Sequence, residues 1–105
     1  MRVAVVGVIG RLGRALVAAL EEAPFAGMRP PIGWDQPDLE LDTVTAASFG
    51  ALLDRERPEV VIHTAAWTDV DGNAREPQLA MRRNGVAVGE IAQACASRGT
   101  DLLII

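Results

Sequence analysis

Four short apolar runs, separated by stretches with helical periodicity, organise this chain. Val3, Ala4, Val5 and Val6 run together and end at Gly7, the pattern of a strand buried on both faces. Leu12, Leu16, Val17 and Leu20 then recur at helical spacing within 11–22, and Ala23-Pro24 ends that helix. The stretch 24–42 holds Pro24, Pro30, Pro31 and Pro37 and reads as loop, with one short strand at 32–34. A second helix is predicted over 45–57, with Thr45 as its N-cap, Phe49, Leu52 and Leu53 on one side, and Pro58 as its stop. Val60, Val61, Ile62 and His63 form the next buried strand, followed by a polar loop over 64–75. A long helix over 76–98 is closed by Gly99, and a last strand covers 102–105. Gly85 and Gly89 stand four apart inside that helix. Each costs about 1 kcal/mol relative to Ala, so a close approach by another backbone is expected there.

Strands alternating with helices imply βαβ units, hence a parallel sheet with right-handed crossovers. The expectation is a Rossmann-like α/β fold of about four strands in the order 3-2-1-4 with three helices, part of a doubly wound sheet. The 105 residues suffice for one such partial domain spanning 1–105.

Composition narrows the chemistry. There is no Tyr, all ten basic residues are Arg, and His63 and Cys95 are single. Metal clusters of Cys and His, disulfides, C-x-x-C redox pairs, Tyr acids and Lys Schiff bases are therefore excluded within this chain. A net charge of −4 argues against nucleic-acid binding. The only basic doublet, Arg82-Arg83, reads as an exposed helix face. No apolar run is long enough to span a membrane, and the N-terminus reads as a strand entering a turn, not a leader peptide. The unpaired cysteine suits a reducing compartment, so the cytoplasm is expected.

Gly7, Gly10 and Gly13 form a G-x-x-G-x-x-G loop between the first strand and the first helix. Gly7 allows the tight turn, Gly10 allows backbone N–H groups to approach a pyrophosphate, and Gly13 allows helix and strand to pack closely. The helix N-terminus supplies unpaired N–H groups and partial positive charge. The same glycines would also suit a strand-to-helix turn with no ligand. Asp35, after the second strand, is either an acceptor for an adenosine ribose or a solvated loop carboxylate. Arg11 and Arg14 would instead favour a 2′-phosphate, so NAD and NADP both stay open.

The segment 57–71, R-P-E-V-V-I-H-T-A-A-W-T-D-V-D, closely resembles one found in the dTDP-4-dehydrorhamnose reductases. These are extended short-chain dehydrogenase/reductases. The resemblance continues through Glu76-Pro77, Asn84 and Ala94-Cys95-Ala96, and it takes in the glycine loop and the Asp-rich stretch 35–42. It implies a dinucleotide cofactor, NADP or NAD, serving reduction of the 4-keto group of a dTDP-sugar in deoxysugar biosynthesis. On that resemblance, Gly10, Arg11 and Leu12 are the pyrophosphate-binding turn, Asp35 stands near the adenosine ribose, and Asp42 and Thr43 stand beside the adenine. Ala65, Ala66, Trp67 and Thr68 run along the ribose and phosphates, and Asn84 steadies the active-site end. Val6, Val8 and Ile9 replace small residues or Thr, so Ile9 is expected to crowd the phosphates. His63 replaces a frequent Asn and reads as structural more readily than catalytic.

The family's S-T-D segment, its Tyr-x-x-x-Lys pair and its sugar-binding region have no counterpart in this sequence. Tyr donates the proton and Lys lowers its pKa, so general-acid catalysis is not available to the chain alone. The expectation is therefore a cofactor-binding segment that is inactive by itself and binds the dinucleotide weakly. A non-catalytic subunit is the alternative, since the same family includes a regulatory partner of methionine adenosyltransferase. A last strand with an unpaired edge, together with the glycine surface of the long helix, makes a homo-oligomer (a dimer) the expected assembly.

Overall fold

A computed structural model of the chain describes residues 1–22, 29–66 and 69–105. Its elements are β1 (Val3–Val6), α1 (Arg11–Glu22), β2 (Ile32–Trp34), α2 (Ala46–Glu56), β3 (Val60–His63), α3 (Val70–Arg75), α4 (Pro77–Met81), a π-helical turn (Arg82–Val86), α5 (Ala87–Arg98) and β4 (Asp101–Ile104). The predicted end of the first helix at Ala23-Pro24 lies outside the described residues.

All four strands are parallel, and their order is β2-β1-β3-β4. This corrects the expected order 3-2-1-4. β2 has only three residues, follows Pro30-Pro31 and carries an exposed Gly33 at its centre, and it forms an edge with no strand beyond it among the described residues. β3 therefore crosses to the free side of β1, whose four residues are all buried. Right-handed crossovers then put α1 on one face of the sheet and send α2 and α5 together to the other.

The main core lies on the α2/α5 face. Ala4, Val6, Ile32, Trp34 and Val61 from the strands meet Phe49, Leu52 and Leu53 of α2 and Ala87, Ile91, Ala94 and Cys95 of α5. Trp34 and Phe49 pack edge to face, with ring centroids 5.4 Å apart. Thr45 caps α2 as predicted: its side chain accepts from Ser48 N at 3.0 Å, and Ser48 Oγ accepts from Thr45 N at 2.9 Å. At the other end Arg57 is left-handed (φ 52°), as suits a helix that stops just before Pro58.

Four expectations for the C-terminal half change. The polar loop over 64–75 contains α3, and the long helix is interrupted by a π-helical turn at 82–86. Gly85 and Gly89 meet no neighbouring backbone among the described residues: a Cβ on Gly89 would meet none of them, and one on Gly85 would meet only the Met81 side chain. The close approach of the helices falls instead at Gly50 of α2, where an added Cβ would lie 2.5 Å from the Arg98 guanidinium. Arg98 in turn grips both carboxylate oxygens of Asp54 at 2.8 and 3.1 Å. The last strand starts one residue early, at Asp101.

Candidate functional site

The C-terminal ends of β1, β2 and β3 open onto a cavity of about 340 Å³. Gly7 turns the chain out of β1 with φ +95°, a conformation that disfavours L side chains. Its N–H donates to Trp34 O at 2.9 Å and its carbonyl accepts from Gly10 N at 3.2 Å, so β2 and the loop lock each other. A Cβ on Gly13 would fall 2.0 Å from Gly7 O, which makes Gly13 the point where α1 seats against the turn. Gly10 is different, because an added Cβ would meet only Gly7 O at 3.4 Å. Its lack of a side chain leaves open space over the start of α1, where Arg14 N donates to Gly10 O at 3.0 Å.

Asp35 closes the other side of this loop. One carboxylate oxygen accepts from Ile9 N at 3.0 Å and the other from Gln36 N at 2.8 Å, while the residue itself lines the cavity. Each oxygen keeps acceptor capacity for a ligand hydroxyl. The Ile9 side chain does not crowd this space. It is 58% exposed and is not part of the cavity wall.

The structure gathers Gly7, Gly10, Asp35, Asp42, Ala65 and Ala66 around the cavity. Arg11 and Leu12 are exposed on the first turn of α1, Gly13 is buried beneath the loop, and Thr43 is exposed and forms no part of the cavity wall. Trp67 and Thr68 lie outside the described residues. Arg14 lines a separate groove with Val17 and Glu21, away from Asp35. Asn84 donates to Asn73 Oδ1 at 3.2 Å, which ties the π-helical turn to α3.

Several wall residues escaped the sequence reading. Thr64 donates its hydroxyl to Val6 O at 2.7 Å and stands against Gly7. Leu39 and Leu41 give an apolar lining, and Arg83 brings the one guanidinium of the wall among the described residues. Arg83 holds Asp42 through Nε and Nη2 at 2.5 and 3.0 Å. Those hydrogen bonds keep the Asp42 carboxyl below its ordinary range. The long polar loop before Asp42 carried no periodic signal for any of these contacts.

His63 lies one strand over from Val6 on the core face and is 2% exposed. Neither ring nitrogen has a hydrogen-bond partner among the described residues, and burial lowers the pKa of the imidazole. It is absent from the cavity wall, in line with a structural role.

The described residues contain no metal-binding cluster and no helix long and apolar enough to cross a membrane. The arrangement is a glycine turn, a helix N-terminus and an acceptor pair around a cavity with both polar and apolar walls. It suits an anionic nucleotide more than a proton-transfer reaction.

Comparison with known proteins agrees. A dTDP-4-dehydrorhamnose reductase of Streptomyces griseus is 37% identical over 99 residues, covering 94% of this chain and 31% of the relative. The methionine adenosyltransferase 2 subunit beta of Xenopus laevis is 30% identical, covering 99% of this chain and 31% of that one. The crystal structure of dTDP-4-dehydrorhamnose reductase from Bacillus anthracis in complex with NADP superposes with a TM-score of 0.81 at 28% identity, covering 96% of this chain and 34% of that one. The chain thus spans about a third of the length of these relatives. Residues 1–105 match the family described as the RmlD substrate binding domain, and the chain belongs to that family.

Proposed function

We propose that this chain is the dinucleotide-binding segment, a partial Rossmann domain over 1–105, of a reductase acting on a dTDP-linked 4-keto sugar. The observation that carries the reading is the joint placement of Gly7, Gly10 and Asp35 around one cavity at the carboxyl ends of parallel strands. The pyrophosphate would lie over Gly10 at the N-terminus of α1, and the ribose would meet Asp35. The adenine would reach Leu39, Leu41 and Asp42, and Ala65 and Ala66 would follow the chain of ribose and phosphates. The bound nicotinamide would supply hydride. The proton donor must come from outside these residues, because the sequence contains neither Tyr nor Lys.

Calorimetric titration of the chain with NADH and NADPH tests the reading. Weak binding of NADH is expected, and Gly10→Val should abolish it without unfolding the protein, since a side chain at Gly10 meets little of the protein but would fill the space assigned to the pyrophosphate. Equal binding by parent and variant would refute the assignment. Comparison of the two titrations decides between the cofactors: a 2′-phosphate would face the Asp35 carboxylate, Arg14 points into another groove, and Arg11 is exposed on the first turn of α1. No turnover is expected with the chain alone.

The regulatory-subunit reading is supported by the Xenopus laevis relative, but it leaves the Asp35 arrangement unexplained. A free, buried Cys95 fits a reducing, cytoplasmic setting. Self-association through β4, which pairs only with β3 among the described residues, completes the proposal. Light scattering that gives a monomer mass at high micromolar concentration would remove that last element.

A further inference from the structure

The doublet Arg82-Arg83, expected on a solvated helix face, is turned instead onto the segment that precedes α2. Arg82 Nε donates to Asp42 O at 2.9 Å, and its Nη2 donates to Val44 O. Arg83 Nε and Nη2 take the two carboxylate oxygens of Asp42. Four donors from two successive residues therefore converge on residues 42–44. Neighbouring side chains on a regular α-helix point roughly 100° apart, so such a doublet ordinarily addresses two different surfaces. Here the helix is locally widened: Ala87 N donates to Arg82 O, five residues back, and the regular helix resumes at Ala87.

The segment receiving these bonds has little else to hold its backbone. Leu39 N donates to Asp35 O, while Thr43 N and Val44 N both donate to Glu40 O, and no strand ladder runs through it. Yet it supplies Leu39, Leu41 and Asp42 to the cavity wall, beside Arg83 itself. A turn that must present three wall residues gains from an external brace.

We propose that the π-helical turn Arg82–Val86 is a positioning device for the nucleotide pocket, delivering Arg82 and Arg83 as a guanidinium clamp that holds the 41–44 rim in its binding conformation. The proposal rests on the dinucleotide reading above. Ordering the rim in advance removes conformational entropy that binding would otherwise have to overcome, so the clamp raises affinity for the adenosine half without touching the reacting end. The planar fork matters as well as the charge. Arg82 spans two carbonyls and Arg83 spans both oxygens of one carboxylate, geometries a Lys ammonium does not reproduce.

ADP-ribose is the probe, titrated by calorimetry into the full chain and its variants, with thermal unfolding followed in parallel. Arg82→Ala and Arg83→Ala should each weaken ADP-ribose binding about tenfold, and the amides of Thr43 and Val44 should exchange faster in the free variants. Arg83→Lys should recover less than half of the loss. Asp42→Asn should weaken binding as much as Arg83→Ala, and the double variant should lose no more than either single one. Arginine variants that bind ADP-ribose like the parent overturn the clamp. If those variants fail to fold, Asp42→Asn decides, because it alters an exposed rim side chain, and unchanged affinity there overturns the clamp as well. A parent chain that binds neither NADH nor ADP-ribose overturns the dinucleotide reading and the clamp with it. A parent that binds, with variants that match it, overturns the clamp alone.

Discussion

The two faces of the sheet are built from the same apolar strands but are finished to different degrees. On the α2/α5 side, Ala4, Val6, Trp34 and Val61 are sealed by Phe49, Leu53, Ile91 and Cys95. On the other side the described residues offer only α1. Gly13 is its one buried residue, and Leu16, Val17 and Leu20 are half-buried. That helix lies over β1, where Val3 and Val5 are covered, but the cover thins toward β3 and β4. Ile62 is half-buried, Leu103 is 53% exposed and Ile105 is 62% exposed. The difference follows from topology. Placing β3 beside β1 sends two crossover helices to one face and leaves one for the other. Stability is therefore concentrated on one side of the sheet, while the nucleotide cavity sits at the strand ends between the faces.

Substitutions can break or sharpen this contrast. The largest effect is expected from Phe49→Ala, which opens a cavity against Trp34 and should lower unfolding free energy by about 3–5 kcal/mol in urea titration. In a domain of this size that is a large part of the total margin. Gly13→Ala probes the thin face where it is tightest. With 2.0 Å between the new Cβ and Gly7 O, the glycine loop must shift, costing about 1–3 kcal/mol and nucleotide binding together.

Acidification should weaken the well-packed face through His63. Burial holds its folded pKa below the ordinary histidine value of 6.5, so the unfolded chain binds the proton more readily. The stabilisation is therefore present above pH 6.5 and is lost as pH falls through the folded pKa, with a slope of at most about 1.4 kcal/mol per pH unit. Asp42 and Asp54 have pKa values lowered by their arginine partners, so they stay ionised down to the acid side of this window. His63→Leu should flatten the dependence between pH 7.5 and 5.5 in denaturant titrations. The smallest effect is expected at Leu103→Ala on the open face, under about 1 kcal/mol for the monomer. A loss comparable to that of Phe49→Ala would mean that the open face is as well covered as the other.

Much of the local structure was legible along the chain. Continuous apolar runs mark β1, which is buried on both faces and needs no polar alternation, and β3, which is buried at Val61 and His63 and half-buried at Val60 and Ile62. The Thr45 cap, the Pro58 stop and the Gly99 end are decided by backbone chemistry within a few residues. Gly7, Gly10 and Asp35 were readable as neighbours of one cavity, because a turn out of a strand needs glycine's freedom and a carboxylate just past a strand end faces the same space. Gly85 and Gly89 were misread, since a glycine's spacing does not reveal which helix, if any, comes near it.

Strand order, the split of the long helix and the Arg82-Arg83 clamp were decided by tertiary structure. Which side of β1 receives β3 depends on whether β2 can accept a further neighbour, a property of an edge and not of the β3 sequence. The π-helical turn exchanges regular hydrogen bonding for contacts to residues forty positions away, an exchange that local propensity cannot register. Local pattern thus determined the elements and the glycine loop, because those interactions close within a turn or two of chain. The pocket wall came only with the fold, because its residues, spread from 6 to 83, become neighbours when the sheet orders its strands.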